Sequence, residues 1–281
     1  DIADIWDRPN LRAVAICSST TTHVDYICAA AEAGVAVFCE KPVSLDLDEV
    51  DRAVRAVTDS DIPFMVGFHK RFDPTHQATK QAVVDGRVGD VHLLRITTRD
   101  PQPPPLDYIA VSGGIFLDMT IHDFDMARFL VDSPVQEIFA RGAVLIDPQI
   151  EQAGDFDTAV VWMRHESGAM TVIDNSRQAA YGHDQRVEVF GSKGMVTSEN
   201  HHDHAAVVLD AEGSHGAVVP HHFLERYESA YRHEWTAFWS YLNDGGPSPV
   251  SIEDGRAPVA LAVAAGESAR TRTPIALRGV R

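Results

Sequence analysis

No G-x-G-x-x-G sequence occurs anywhere in these 281 residues, so the usual fingerprint of a dinucleotide phosphate loop cannot be read from the chain. No run approaches the ~20 apolar residues of a membrane-spanning helix. No methionine opens the sequence, which starts at Asp1; the N-terminus is expected to have been processed, trimmed or left out. Cysteine is scarce. Cys17, Cys28 and Cys39 make an odd count without metal-type spacing, and each sits in an apolar run. Buried free thiols in a reducing, cytoplasmic compartment are therefore expected. Positive charge is scarce too: 24 Lys and Arg stand against 41 Asp and Glu, a net charge of −17. So acidic a chain disfavours nucleic acid and acidic membrane surfaces as partners.

What is present falls into two halves with different rhythms. Over the first 85 or so residues, short apolar runs alternate with helical patterns. "RAVAICSS" (12–19), "VAVFCE" (35–40) and "IPFMVGF" (62–68) read as buried strands. Between them lie "TTTHVDYICAAAEAG", with Thr22 as a candidate cap, and "LDLDEVDRAVRAV", with Leu47, Val50, Val54 and Val57 on one face. A further helix is expected from Pro74 to Gly86. Strand–helix–strand repetition implies parallel strands with right-handed crossovers. After Gly89 the runs become strand-like with intervening turns, including "HESG" and "GSKG". One helix interrupts them near 120–131, and two helices close the chain. The expected fold class is α/β plus α+β. A partial Rossmann-type parallel sheet (1–88) is followed by a domain with a large, open, mainly antiparallel sheet (89–281).

Several residues carry candidate chemistry. Glu40 and Lys41 end a parallel strand, where ligand crevices of open α/β sheets lie, and Pro42 fixes the backbone after them. The strand end "SSTTTH" contributes Ser18, Ser19, Thr20 and His23, whose amides and side chains could hold a diphosphate, ribose or amide group. In "GGIFLDMTIHDFDMARFL", Asp118 and His122 are four apart and share a face if the segment is helical. A carboxylate bonded to one imidazole nitrogen would set the tautomer and leave the other nitrogen to take a proton. The plainer alternative makes Asp118 a cap and His122 a satisfied, half-buried residue. A metal set of Asp118, His122, Asp123 and Asp125 is a weaker rival, because their helical directions diverge. Arg71, in "GFHKRFD", could meet a phosphate, a substrate hydroxyl or only Asp73. Tyr181 and His183, in "YGHD", could face a cleft or decorate a turn. "HHDHAAV" and the pair His221–His222 read as exposed polar loops.

Taken together, "AVAICSS", "THVDYICAAAEAGVAVFCEKP", "FMVGFHKRFDP", "GGIFLDMTIHDFDMARFL" and "YGHDQRVEVFGSKG" resemble the family of glucose–fructose oxidoreductases and inositol dehydrogenases. The similarity covers nearly the whole chain. "SGGIFLDMTIHDFDMARF" and "RVEVFGSKGM" are most similar to its inositol 2-dehydrogenase branch. The resemblance implies an NAD or NADP cofactor and a sheet domain that also pairs subunits into homodimers or homotetramers. It implies catalytic roles for Lys41, Asp118 and His122, and a bond before Pro42 that is cis. It places "SSTTTH" near the nicotinamide, and Arg71 and the "YGHD" turn, with Tyr181 and His183, near the substrate. Glu40 and Lys41 are expected to join the cofactor contacts, and Asp123 the substrate contacts. The family often carries a second aromatic where His183 stands.

Members of that family begin with a strand, a glycine-rich loop, a helix and an acidic strand end, roughly fifty to sixty residues in all. The parent protein is expected to carry them ahead of Asp1. The implied reaction is NAD(P)-dependent oxidation of a secondary alcohol on a cyclic polyol, myo-inositol to its 2-keto form first. The alternatives are a related sugar dehydrogenase or keto-sugar reductase, and a non-catalytic sugar-binding homologue.

Overall fold

The structure, a computed structural model, describes residues 3–6, 8–202 and 204–280. The three early apolar runs become β1 (Ala13–Ile16), β2 (Ala36–Glu40) and β3 (Phe64–Gly67). They are parallel, in the order β1-β2-β3, with Ile16 beside Cys39 and Cys39 beside Val66. Helices His23–Glu32 and Leu47–Ser60 make the crossovers. The second starts on Asp46, whose carboxylate accepts from the amides of Asp48 and Glu49, and it buries Val50, Ala53 and Val57. Thr22 does not cap the first. A 3-10 turn at Thr20–Thr22 puts Thr22 at φ −107, ψ −9 rather than in the extended conformation of a cap, and its hydroxyl bonds the Ser19 carbonyl instead. Of the three thiols expected to be buried, only Cys39 is. Cys28 is half-buried on its helix, and Cys17 is exposed just beyond β1.

The second half supplies β4 (Val91–Arg99), β5 (Val135–Ala143), β6 (Thr158–His165), β7 (Met170–Ser176), β8 (Asp184–Gly191) and β9 (Gly194–Ser198). Short strands β10 (Val208–Asp210) and β11 (Gly213–His215) form a separate hairpin. Strand β12 (Ile275–Val280) follows the last helix and adds to the edge of β5. Sequence reasoning ended the chain on that helix and missed β12, whose "IALRGV" is too short to show a period. The large sheet runs β12-β5-β6-β7-β4-β8-β9; β4 and β7 are parallel, and every other neighbouring pair is antiparallel.

Alternation decides which face is covered. Leu94, Ile96 and Thr98 of β4 and Ala159, Val161 and Met163 of β6 are buried, while Arg95 and Val160 face outward. Helices Ile121–Val131 and Ile252–Thr271 cover the inner face. The two lobes are also stitched together late in the chain. Phe238, Val250, Ile252 and Val259 lie in the core of the first sheet, and the Val66 amide donates to the Val250 carbonyl. Among the described residues no helix is long and apolar enough to cross a membrane.

Candidate active site

Strand β2 delivers Glu40 and Lys41 to the carboxyl end of the parallel sheet, and the Lys41–Pro42 bond is cis. Beyond that edge lies a cavity of about 420 Å³ between the two lobes, with Glu40, Lys41, Asp118, His122 and His183 in its wall. Lys41 and His122 therefore share one chamber. Lys41 Nζ donates to the backbone oxygen of Asp118 at 2.8 Å and sits 3.9 Å from its carboxylate. Burial lowers the Lys41 pKa, opposed by Asp118 and Glu40.

Asp118 and His122 do not lie on one helix. Gly113 and Gly114, both at φ above +80, turn the chain into a short helix, Gly114–Asp118. The path then breaks at Met119–Thr120 before helix Ile121–Val131 begins. The expected carboxylate–imidazole bond is absent. Asp118 instead accepts from the Tyr108 hydroxyl (2.8 Å) and from Arg177 (3.1 Å). It is a fixed counter-charge beside Lys41. His122 Nδ1 is buried with no hydrogen-bond partner. Burial pushes the His122 pKa well below the usual imidazole value, helped by Lys41, His69, Lys70 and His183. His122 is accordingly neutral near pH 7.

The other expected substrate contacts divide. His183 lines the cavity, with Nδ1 3.3 Å from the Asp100 carboxylate. Arg71 does not. Its Nε and Nη2 are clamped by both oxygens of Asp125 and by Asp254 at 3.0 Å, and it is not part of the cavity wall. Asp123 is fully buried and behind the wall. It accepts from Lys70 (2.9 Å), Thr98 (2.7 Å) and Asn175 (2.8 Å). Tyr181 is 49% exposed and bonds Asp184 and Arg99 rather than reaching the chamber. The candidate metal set is also dispersed, because Asp118, Asp123 and Asp125 are each engaged by cations.

At the same edge, past the neighbouring strand β1, Ser18 and Ser19 are exposed and Thr20 is half-buried. His23 is not available to a cofactor. It is buried, and its ring bridges the Pro42 carbonyl (2.9 Å) and the Ser18 carbonyl (3.1 Å), tying this loop to the turn after Lys41.

Sequence reasoning missed Lys70, His69, Asp100, Gln185, Tyr227 and Tyr231, all in the cavity wall. Two signals were there. "HK" sits beside Arg71 at the same strand end, and the Tyr227–Tyr231 spacing puts both rings on one face of helix Phe223–Asp244.

Residues 1–68 match the family described as "Oxidoreductase family, NAD-binding Rossmann fold", and residues 76–197 match the "GFO/IDH/MocA C-terminal domain". The chain is 49% identical over 280 residues to a myo-inositol 2-dehydrogenase of Thermotoga maritima, covering 100% of this chain and 84% of that protein. It is 44% identical over 268 residues to an inositol 2-dehydrogenase of Rhizobium meliloti, covering 95% of this chain and 81% of that protein. Its fold superposes on the crystal structure of a probable dehydrogenase from Thermotoga maritima with a TM-score of 0.97 at 48% identity, over 100% of this chain and 84% of that one.

Proposed function

Since the chain belongs to the GFO/IDH/MocA oxidoreductase family, with its NAD-binding Rossmann fold, we propose that it oxidises a ring secondary alcohol of a cyclic polyol to a ketone, with myo-inositol, the substrate its relatives' names carry, as the first candidate. The convergence of Lys41 and His122 on one cavity supports this reading most directly.

The residues present fit the nicotinamide end of the cofactor. Exposed hydroxyls of Ser18 and Ser19 and the cavity-lining carboxyl of Glu40 gather outside the carboxyl ends of the parallel strands. When bound there, NAD supplies the acceptor for the hydride that leaves the carbinol carbon. The chain's own groups handle the proton. Neutral His122 accepts it from the substrate hydroxyl. Lys41 donates a hydrogen bond to the oxygen as negative charge builds. Asp118, held by Tyr108 and Arg177, aims Lys41 through its backbone oxygen and balances its charge. Lys70, His183 and Gln185 offer hydrogen bonds to the remaining ring hydroxyls, and Asp100 offers an acceptor. Buried positions that must each be paired make such a wall selective among hydroxylated rings.

His122→Ala and Lys41→Ala are each expected to lower kcat/KM by about 10²–10⁴. Wild-type kcat/KM in both would defeat the assignment. A panel of cyclitols and aldoses, run with NAD and NADP, identifies the ring. The same reading divides the chain near residue 88 and places the enzyme in the cytoplasm. It also pairs subunits through the outer face of the large sheet, where Val160, Met170, Phe190 and Met195 are exposed. Light scattering that returns a monomer would remove the last point.

A further inference from the structure

With Asp118 engaged elsewhere, no carboxylate sets the tautomer of His122. Another ring stands where that role is open. His69 follows β3 in the one-turn 3-10 segment His69–Phe72, and its ring centroid lies 5.0 Å from that of His122, the planes at 64°. His69 is held from behind by helix Phe223–Asp244. It stacks on Tyr231 at 4.5 Å and meets Tyr227 edge to face at 4.8 Å. His69 Nε2 and His122 Nδ1 are both buried, and neither has a hydrogen-bond partner. Two orphaned nitrogens on adjacent rings are an uncommon coincidence, because buried polar atoms are nearly always paired.

We propose that His69 is a positioning residue for His122: His122 Nδ1–H donates through one buried water to His69 Nε2, so that His122 Nε2 turns its lone pair to the substrate hydroxyl. The chemistry of the pair allows it. Burial pushes both imidazoles well below their usual pKa, and a neutral imidazole carries one donor and one acceptor nitrogen. Two neutral rings can pair; two imidazolium rings, each a donor only, cannot. The two nitrogens make no direct hydrogen bond in the structure, and ring centroids 5.0 Å apart keep them within the reach of one bridging water. The proposal rests on His122 being the base assigned above, and it gives that base the fixed tautomer which a carboxylate supplies in other sites.

The test uses the enzyme with bound cofactor, labelled with 15N histidine, and a multiple-bond proton–nitrogen correlation spectrum. The His122 signal is assigned by its loss in His122→Asn. Wild type is expected to show a single His122 tautomer, protonated at Nδ1. His69→Phe keeps a ring against Tyr231 but offers no nitrogen. It is expected to release the tautomer to a mixture or to the Nε2–H form, and to lower kcat about tenfold while KM stays within about twofold. His69→Gln returns an acceptor at that edge and is expected to recover most of the loss. A wild-type His122 protonated at Nε2 overturns the proposal. So does a His69→Phe enzyme that keeps both the single tautomer and its kcat. Should His69→Phe fail to fold, the wild-type spectrum and His69→Gln still decide. Because the spectrum reads the proton without turnover, a fully active His122→Ala would sink the base assignment while the coupling of the two rings was still read independently.

Discussion

Lys70 and Arg71 are neighbours in sequence, both cationic, both nearly buried, and they end in opposite situations. Arg71 is enclosed by carboxylates from two helices, Asp125 and Asp254, and the latter also pairs with Arg128. Lys70 meets one carboxylate, Asp123, plus the Thr98 hydroxyl, and it borders the cavity. An ammonium has three donors, so Lys70 keeps one in hand beside the cavity, while Arg71 commits its Nε and Nη2 to two carboxylates away from it. A cation at a strand end is thus a ligand contact or a structural clamp according to how many acceptors surround it.

The largest effect should come from breaking the clamp. Arg71→Ala leaves Asp125 buried without its cation and is expected to cost about 3–5 kcal/mol in urea unfolding. Burial already raises the Asp125 pKa despite Arg71, so the bare carboxylate would take up a proton rather than stay charged. If Arg71→Ala instead raised KM at unchanged stability, Arg71 would be a substrate contact after all. Lys70→Met should divide the other way. Asp123 keeps its bonds from Thr98 and Asn175, so stability should fall by less than in Arg71→Ala, and KM should rise about tenfold or more through one lost charged hydrogen bond.

Acid offers a gentler probe of the wall around Lys70. His69, His76 and His122 all have pKa values depressed chiefly by burial, His76 to about 3. A depressed pKa means that the unfolded chain binds the proton first. The stability these neutral rings contribute is therefore complete above about pH 6.5 and declines as pH falls. At pH 5.5 His76 is expected to cost about 1.4 kcal/mol relative to pH 7.5. His76→Gln should flatten the denaturation midpoint against pH over that interval; an unchanged slope would mean that His76 charges in the fold. Smallest of all, Tyr181→Phe should leave KM within about twofold. Its hydroxyl serves Asp184 and Arg99, outside the chamber.

The fold was largely legible because it is written in periods. Continuous apolar runs became the parallel strands, and the change of rhythm after Gly89 became the large sheet. The site was legible where backbone position alone places a side chain. Glu40 and Lys41 end β2, and His183 precedes β8, so each reaches the gap whatever its neighbours do. It was illegible where pairing decides. Nothing local to Arg71 announces Asp254, 183 positions later, as its partner. Nor does the D-x-x-x-H spacing reveal the break at Met119–Thr120 that separates Asp118 from His122. Helical spacing supplied a face, and the two left-handed glycines before it supplied a different path.

The late return of the chain beneath the first sheet bears on any attempt to recombine relatives of this protein. Gly255 opens the last helix so close to that sheet that an added methyl would stand 2.8 Å from Val66 and 3.0 Å from Val43. Arg256, next along, pairs with Asp51 on the opposite lobe. A chimera spliced at residue 88 would import a nucleotide half whose underside had been shaped against someone else's residues 238–259. A graft that carries this return segment along with the first 88 residues is therefore expected to fold where the simple head-for-head exchange does not.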